Sequence, residues 1–421
     1  MAATSESTDR ITRIHVKGLR SLDDVALDLD GLTVLIGDNG SGKSSMLEAL
    51  EALRYFSEPG ASVAGFFEQH PWPIRGGHGK LTIGVEAAGD DQNSVALRYE
   101  FTLVHNERGR IGVAAEQLLV GPLPGDNDPL VAFRRDFDSA SVFDQGQRKL
   151  VRVEASPDHL LLSQLVNEPV REGQAEPQQL AVRRMGSLLR GIDVHVPFEA
   201  MAAWAARRTG RKSASREPNM LQPTRRLDLL AANLGNAYHS LKNEHGKAHW
   251  DETMEHVQLG LGRDVDDVSA IADAAGGQHA ISVRYRSGGV VPAVALSDGT
   301  LAYLAFVALA RLPSQRSLLA FDEPELHMHP GLLVRVLSLF ESMGRKCPVV
   351  LSTHSDRLLD ALQSPANSIV LCSLDENRAT RLVRPDAVML AKWLKDYRGF
   401  GDIRATGFQD AVMPAREQRR D

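Results

Sequence analysis

The chain has 421 residues, with 48 Lys and Arg residues against 54 Asp and Glu residues, which gives a formal net charge of −6. Apolar residues make up 43% and charged residues 24%, as in an ordinary globular protein. This balance excludes a polybasic, histone-like protein and a chain dominated by an acidic disordered tail, but it allows a local basic patch. The length favours one large elaborated domain or two domains.

Cysteine usage and hydropathy indicate the cellular compartment. Cys347 and Cys372 are too few for a disulfide framework or a Cys-only zinc site, so we expect free thiols in a reducing compartment. No run of about 18 apolar residues is present, so no transmembrane helix is expected. Residues 1–10 lack the apolar core of a signal peptide. The sequence therefore predicts a cytoplasmic protein.

The chain begins with strand patterns that lead into a glycine-rich loop. Alternating residues over 11–17 predict a first strand, residues 25–29 a second, and the apolar run 32–36 a buried central strand. Residues 37–44 read GDNGSGKS and are followed by apolar residues at helical spacing. This is the GxxxxGK[ST] phosphate-binding motif between a strand and a helix, the context in which it is specific.

The residue types of this loop suit phosphate binding. Gly37, Gly40 and Gly42 let the backbone bend closely around phosphate oxygens, which the loop amides and the helix N-terminus would bind. Lys43 is predicted to reach the β- and γ-phosphates, and Ser44 to hold Mg²⁺ through its hydroxyl.

Two acids follow a second apolar strand far downstream. Residues 317–321 predict a buried strand that delivers Asp322 and Glu323 at its carboxyl end, where ligands of open α/β sheets bind. Adjacent acids in this position are often a solvated helix cap, but the phosphate loop favours catalysis. We predict that Asp322 coordinates Mg²⁺ and that Glu323 acts as general base for the attacking water.

Two further polar motifs belong to the same pattern. Residues 296–300 (LSDGT) open an amphipathic helix, whose N-terminus is a second candidate anion site. Residues 348–352 predict another strand, which ends near His354, a residue able to contact a γ-phosphate.

Taken together, these motifs resemble the ABC-type ATPases of the RecF and SMC kind, and specifically the OLD-like "AAA_21" ATPases without a Toprim domain. The resemblance implies an α/β P-loop NTPase of ABC/SMC-head type, with a central, mostly parallel sheet, an antiparallel β lobe and an inserted helical lobe. The segments that carry it are residues 16–21, 37–44 (Walker A), 296–300 (signature), 318–323 (Walker B), 324–330 (D-loop) and 351–355 (switch).

The resemblance also implies roles for individual residues. Two heads would dimerise head-to-tail around two ATP molecules, so that Ser297, Asp298 and Gly299 contact the nucleotide of the other subunit. Gln69 and Gln117 are both candidates for the Q-loop. The implied nucleotide-binding residues are Arg20, Gly37, Asn39, Gly40, Ser41, Gly42, Lys43, Ser44 and Ser45; the implied Mg²⁺ ligands are Ser44 and Asp322; the implied catalytic residues are Glu323 and His354.

The middle of the chain is predicted to be an insertion. We expect residues 1–120 to form the first part of the ATPase head, residues 121–275 a mainly helical lobe, and residues 276–421 the second part of the head. Alternating residues over 81–120 predict antiparallel strands, and helices are predicted at 155–167, 177–190 and 225–243.

One stretch of this insertion is basic. Residues 183–226 hold ten Lys or Arg residues against three acids. Such a stripe is typical of nucleic-acid backbone binding, although a solvated loop is an equally good interpretation. The candidate nucleic-acid contacts are Arg207, Arg208, Arg211 and Lys212.

The leading hypothesis is a switch protein that hydrolyses ATP, forms a homodimer through ATP and acts on DNA or on a separate effector such as a nuclease, in repair or phage defence. The alternative is the nucleotide-binding subunit of a membrane transporter, which usually has a shorter insert and a glycine-glycine signature. A self-contained OLD-type nuclease would need a Toprim domain of roughly a hundred residues after the switch. The 66 residues after Ser355 are too few for one, so any nuclease is expected to be another protein.

Overall fold

The computed structural model describes residues 9–70, 79–89, 95–105, 111–122, 128–144, 146–167, 177–198, 213–272 and 277–414. Its strands are β1 (Arg10–Leu19), β2 (Leu22–Asp28), β3 (Leu32–Gly37), β4 (Lys80–Ala88), β5 (Leu97–His105), β6 (Ile111–Val120), β7 (Leu130–Asp136), β8 (Ser139–Asp144), β9 (Lys149–Glu154), β10 (Ile192–His195), β11 (Val265–Ala272), β12 (His279–Tyr285), β13 (Val290–Pro292), β14 (Leu318–Asp322), β15 (Val349–Thr353), β16 (Ile369–Leu374) and β17 (Thr380–Val383). Its α-helices are α1 (Lys43–Phe56), α2 (Val63–Gln69), α3 (Leu161–Leu165), α4 (Pro177–Arg190), α5 (Leu234–Asn243), α6 (Lys247–Leu261), α7 (Asp298–Arg311), α8 (Pro330–Gly344), α9 (Asp356–Asp360), α10 (Pro365–Ser368), α11 (Ala387–Trp393) and α12 (Phe400–Ala405).

A six-stranded sheet carries the predicted motifs. Its strand order is β10-β14-β15-β3-β16-β17, and all neighbours pair in parallel except β16 and β17. The strands predicted at 32–36, 317–321 and 348–352 form β3, β14 and β15, so these three predictions are confirmed within one residue. Their parallel pairing brings the carboxyl ends of all three to one edge of the sheet.

Both faces of this sheet are covered, which explains why its strands are continuous apolar runs. Leu35 packs in one hydrophobic cluster with buried residues of α1 and α4. Its neighbours Val34 and Ile36 point the other way, into a second cluster with α7 and α8. The alternation follows from the two-residue period of a strand, and it fixes α1 and α7 on opposite faces.

A second sheet has eight antiparallel strands in the order β2-β1-β4-β5-β6-β7-β8-β9. The antiparallel strands predicted for residues 81–120 are β4, β5 and β6, as expected. The sheet does not end at residue 120, however, because β7, β8 and β9 extend it to Glu154. The first part of the predicted insertion is thus β-structure of the same sheet.

The rest of residues 121–275 supplies both helices and strands. Helix α4 has the bounds predicted for 177–190, whereas the helix predicted at 155–167 is reduced to the five residues of α3. The helix predicted at 225–243 begins only at Leu234. Ala231 has a φ of 56°, which is not helical, and the side-chain amide of Asn233 donates to the carbonyl of Arg226 at 2.9 Å. Strand β10 joins the central sheet, and β11 pairs with β12 in a three-stranded sheet.

The predicted α/β fold with a central, mostly parallel sheet and an antiparallel lobe is therefore confirmed, and α4, α5 and α6 supply its helical part. Across the part of the chain that the structure describes, no helix is both long and apolar enough to cross a membrane.

Candidate nucleotide-binding site

The glycine-rich loop curls around the side chain of Lys43. Gly40 and Gly42 have φ angles of 77° and 99°, in the left-handed region that favours glycine, and Gly42 is the N-cap of α1. The Lys43 ammonium donates to the carbonyls of Gly37 and Asp38 at 2.9 and 3.0 Å. The backbone bends here because its glycines allow the turn, and the turn places Lys43 at the first position of α1.

The loop provides a setting in which an anion would be stabilised. Burial lowers the pKa of Lys43, and this effect is opposed by Cys372, Asp322, Glu323 and Asp38. The Ser41 hydroxyl is buried without a hydrogen-bond partner among the described residues. Asn39 and Gly40 are exposed and Ser45 is buried. An unpartnered hydroxyl beside a buried ammonium suits a phosphate oxygen.

Two distant segments support the loop from outside. Thr380, at the start of β17, donates its amide to the carbonyl of Ser21 at 2.7 Å and its hydroxyl to the carbonyl of Ser41 at 2.9 Å. Arg20, in the turn between β1 and β2, forms an ion pair of 2.7 Å with Glu48 of α1. The structure thus brings Arg20 to the helix that follows the phosphate loop.

The register of the central sheet brings the predicted metal ligands together. Asp322 pairs with Ser352 across β14 and β15, and the Ser352 hydroxyl donates to its carboxylate. The Ser44 hydroxyl lies 3.3 Å from one Asp322 oxygen and 3.5 Å from the other. Two residues far apart in sequence, Ser44 and Asp322, therefore face each other at the carboxyl edge of the sheet.

These groups have the chemistry that Mg²⁺ requires. A hydroxyl and a carboxylate are hard oxygen ligands, and Mg²⁺ in nucleotide sites takes its remaining ligands from phosphates and water. In the described ranges no group of three His, Cys, Asp or Glu side chains could hold a metal ion. Ser44 and Asp322 therefore fit a metal that binds together with a nucleotide.

Glu323 and His354 form a pair beside the metal ligands. Glu323 has a φ of 45°, an unusual conformation for a residue other than glycine, and its amide donates to the carbonyl of Ser352 at 3.0 Å. His354 Nε2 lies 3.6 Å from Glu323 Oε1, and both side chains are about one third exposed, at 36% and 34%. Strained backbone at a solvent-accessible acid is typical of a functional site.

Glu325 holds the switch segment in place. Its carboxylate accepts from the Thr353 hydroxyl at 2.7 Å and from the His354 amide at 2.9 Å. Glu325 was not among the residues predicted from the sequence. A signal was present, since Glu325 lies two residues after Glu323 in a segment assigned as a whole to the D-loop.

The predicted signature residues lie at the start of α7. Ser297 caps α7 by accepting from the amide of Thr300 at 3.1 Å. The guanidinium of Arg216 donates to the carbonyls of Ala293 and Leu296 at 2.6 and 2.8 Å and pairs with Asp298. A Cβ at Gly299 would lie 3.3 Å from the His327 carbonyl, so the signature helix approaches the D-loop of the same chain.

Comparisons with known proteins agree with this geometry. Residues 194–360 match the family described as "AAA domain, putative AbiEii toxin, Type IV TA system", and residues 10–97 match "AAA ATPase domain". A segment of 90 residues is 33% identical to the DNA replication and repair protein RecF of Shewanella pealeana. The resemblance to RecF/SMC-like ABC-type ATPases is confirmed. The match covers 21% of this chain and 23% of that RecF protein, so the chain matches about a quarter of the length of this curated relative.

Solved structures of Smc heads are also similar to this ATPase-type chain. The Smc head bound to the C-winged helix domain of ScpA has a TM-score of 0.47 at 14% identity, with 89% of this chain and 97% of that chain covered. The SMC head domain from Thermotoga maritima has a TM-score of 0.42 at 13% identity, covering 89% and 98%. The Smc head with an extended coiled coil, bound to the C-terminal domain of ScpA derived from Pyrococcus furiosus, has a TM-score of 0.46 at 12% identity, covering 92% and 99%.

A cavity of about 430 Å³ opens beside the predicted metal ligands Ser44 and Asp322. Its lining also includes His70, Asp193 and His195, none of which was predicted from the sequence. Gln69 is exposed at the end of α2, and Gln117 lies on β6; neither lines this cavity. His70, the residue after Gln69, lines the cavity instead.

Asp193 is a buried acid beside two arginines and a histidine. Burial opposes its ionisation, but His195 at 3.2 Å, Arg316 at 2.7 Å and Arg226 at 3.7 Å hold the pKa of its carboxyl well below the usual range. Asp193 lies on β10, the strand next to β14. It lines the cavity that contains Ser44 and Asp322, and it also pairs with Arg316, just before β14.

The basic stretch of residues 183–226 is partly explained by internal contacts. Arg184 pairs with Asp9 at 2.5 Å, Arg216 pairs with Asp298, and Arg226 donates to the carbonyl of Ile192 at 2.7 Å. These three arginines stabilise the fold. The predicted nucleic-acid contacts Arg207, Arg208, Arg211 and Lys212 lie outside the described residues.

Proposed function

We propose that this chain is an ATP-hydrolysing switch protein that dimerises head-to-tail on ATP and acts on DNA or on a partner effector. The observation that carries the proposal is the approach of the Ser44 hydroxyl to the Asp322 carboxylate at 3.3 Å, directly beside Glu323 and His354. A phosphate loop, two oxygen ligands for a metal, an acid and a histidine at one sheet edge are the groups that phosphoryl transfer to water needs.

Each residue would have a separate role. The loop amides and Lys43 would bind the β- and γ-phosphates, and Ser44 and Asp322 would hold Mg²⁺, which neutralises charge on the phosphates when bound. The Glu323 carboxylate would take a proton from the water that attacks the γ-phosphorus, while the bond to the ADP oxygen breaks. His354, whose backbone amide donates to Glu325 at 2.9 Å, would donate a hydrogen bond from its ring to the γ-phosphate.

The head-to-tail dimer is inferred from what a single chain does not supply. Ser297 is exposed and does not line the cavity that contains Ser44 and Asp322. A second copy, placed head-to-tail, would bring its Ser297 and the N-terminus of α7 to the γ-phosphate, where the free amides of a helix start bind anions.

The ATPase is tested with two variants and a control. Lys43→Ala should weaken ATP binding at least about tenfold, since it removes a charged hydrogen-bond donor to the phosphates. Glu323→Gln should keep ATP binding, lower the turnover number by about 10²–10⁴ and accumulate an ATP-bound dimer. The control is Glu376→Gln, an exposed acid in the turn between β16 and β17. Phosphate release and light scattering measure the outcome, and equal hydrolysis by wild type and Glu323→Gln would contradict the site.

Action on nucleic acid is the second part of the proposal. The name of the RecF relative supports it, as do the basic residues 207–212. Charge reversal at Arg207, Arg208 and Arg211 should weaken binding to all DNA sequences alike and lower the salt dependence, because phosphate contacts carry no sequence information. The matched control reverses the charge at three other exposed arginines, Arg263, Arg286 and Arg345. No DNA binding by wild type at low salt would leave a protein effector as the target.

A defence or repair role completes the proposal. The description of the matched family, which mentions a putative toxin, supports the defence role. Cells that carry the wild-type gene should restrict phage plating or survive DNA damage better than cells that carry Lys43→Ala. Equal plating and equal survival of the two strains would argue against both roles.

A further inference from the structure

A second cavity, of about 360 Å³, lies at the amino ends of β14 and β15, away from the phosphate loop. Six of the residues that line it are cationic or can become so, and no described Asp or Glu belongs to its lining. These six residues are His249, His256, Arg311, Arg316, Arg335 and Lys346. In a chain whose net charge is −6, such a concave cationic surface is a local exception that favours an anionic ligand.

The wall of this cavity contains buried donors without partners. The Arg316 side chain is only 7% exposed. Its Nε donates to Asp193 at 2.7 Å and its Nη1 to the carbonyl of Leu309 at 3.0 Å, but its Nη2 has no partner among the described residues. The Ser314 hydroxyl is likewise buried and unpartnered. Buried donors left unpaired are costly, and an acceptor in the cavity would satisfy them.

The rim supplies positive charge that carboxylates do not neutralise. Arg335 and Lys346 are exposed and make no ion pair with any described residue. Arg311 differs, because it pairs with Glu252 at 2.7 Å. Two unpaired cations above two buried, unpaired donors form a site with charge at its mouth and hydrogen-bond donors at its base.

We propose that this cavity binds a small organic phosphate, a phosphate monoester dianion separate from the ATP substrate. The forked guanidinium groups of Arg316 and Arg335 match the several oxygens of a phosphate. The size of the cavity suits a ligand of about mononucleotide size. Its apolar lining, which includes Leu259, Leu312 and Leu339, would cover the organic part of the ligand.

Binding here would reach the nucleotide site through one ion pair. Arg316 donates to Asp193, and Asp193 also lines the cavity that contains Ser44 and Asp322. A phosphate at Arg316 Nη2 would weaken the attraction between the same guanidinium and Asp193, and we expect this to alter the position of β10 next to β14. This regulatory consequence rests on the proposed ATPase, whereas the binding site itself does not.

The two histidines provide an independent readout of binding. Burial, and then the charge of Arg311, lower the pKa of both His249 and His256. A dianion in the cavity offsets that positive field and raises both pKa values, so the two imidazoles take up protons near pH 6.5. The protons that the phosphate monoester loses when it binds as a dianion, whose second pKa lies near 6, are subtracted from this uptake. Calorimetry in buffers of different ionisation enthalpy measures this uptake.

The binding test uses the full chain with Lys43→Ala, which removes the phosphate-loop lysine from competition. The probes are inorganic phosphate and AMP, titrated by calorimetry at low salt. We expect saturable binding of AMP that the double variant Arg335→Glu, Lys346→Glu weakens about tenfold or more. The control Arg345→Glu reverses the exposed residue next to Lys346, which does not line the cavity, and should bind like its parent. No saturable binding, or binding that survives the double reversal, would overturn the proposal.

Two further outcomes separate this site from other interpretations. Tight binding of a DNA duplex that the double variant abolishes, with no binding of AMP, would overturn the small ligand in favour of nucleic acid. The ATPase rate of the chain with Lys43 intact, measured with and without AMP, tests the coupling. If AMP binds but this chain hydrolyses no ATP, the site stands and the proposed ATPase fails; if ATP is hydrolysed but neither probe binds, the site fails and the ATPase stands.

Discussion

The buried guanidinium of Arg216 forms an ion pair with Asp298, the middle residue of the signature triplet, although 82 positions separate the two in sequence. The same guanidinium binds the carbonyls of Ala293 and Leu296, and the Arg216 side chain is 4% exposed. The segment that follows residues 199–212 is therefore joined directly to the start of the signature helix. We therefore expect a change at Arg216 to alter the conformation at the start of this helix.

We expect Arg216→Met to lower ATP hydrolysis at least about tenfold while the affinity of the phosphate loop for ATP stays unchanged. Asp298 is 34% exposed and stays partly hydrated, but the buried carbonyls of Ala293 and Leu296 lose their donor. A buried acceptor without a partner costs about 1–3 kcal/mol, and this cost falls on the start of the signature helix. Arg225→Met, at an exposed arginine nearby, is the matched control. Nucleotide binding and phosphate release measured on the same samples check this, and normal hydrolysis by a folded Arg216→Met protein would contradict it.

The head-to-tail dimer predicts complementation between two inactive variants. Lys43→Ala loses its own nucleotide site, and Ser297→Arg loses the surface it offers to a partner. A mixture of the two should regain roughly a quarter of wild-type hydrolysis, since half of the dimers are mixed and each of these has one intact site. If the signature acted on its own subunit's nucleotide, the mixture would stay inactive, and the rate would not depend on the mixing ratio.

Gly37 should tolerate no side chain. A Cβ built there would lie 2.0 Å from the carbonyl of Cys372 on β16, which cannot move without breaking the sheet. Gly37→Ala should therefore lower the melting temperature and abolish nucleotide binding together. Gly60→Ala is the control, because a Cβ at Gly60 would meet no atom within 4 Å and the φ of 80° would add about 1–2 kcal/mol of backbone strain. The melting temperatures of both variants, measured by calorimetry, distinguish the steric clash at Gly37 from the backbone strain at Gly60.

Glu116 predicts a pH dependence of stability in the antiparallel sheet. Burial raises the pKa of this carboxyl from 4.5 to about 7, against the opposing amides of Leu162 and Leu161. Because the folded state holds the proton more tightly, this contribution to stability is fully present below pH 4.5 and is lost as pH rises to about 7. The total is at most about 3 kcal/mol.

We expect Glu116→Gln to remove this pH dependence. The free energy of unfolding, measured with denaturant, should then change less between pH 4.5 and 7 than in wild type. The matched control is Glu100→Gln on the neighbouring strand β5, where Glu100 pairs with Gln117 rather than with Glu116. It should keep the wild-type slope. Parallel slopes for wild type and Glu116→Gln would show that the buried carboxyl stays ionised throughout.

The sequence by itself determined the groups of the candidate site that local geometry fixes. A loop of glycines between a strand and a helix can adopt few conformations, so Gly40, Gly42 and Lys43 were predictable from residues 37–44. Asp322, Glu323 and His354 were predictable because each follows a buried apolar strand, and parallel strands place their carboxyl ends together. The strands β3, β14 and β15 were found for the same reason.

Only the tertiary structure decided which distant residues complete this arrangement. Arg216 with Asp298, and Arg316 with Asp193, join residues 82 and 123 positions apart. In the sequence Arg216 was one of ten basic residues in a stretch and Arg316 an ordinary arginine before a strand. A charge pattern does not tell whether a side chain is buried, because burial depends on which elements pack over it. Packing therefore gave some arginines of the predicted nucleic-acid patch internal structural contacts, and it created a cationic cavity separate from the phosphate loop.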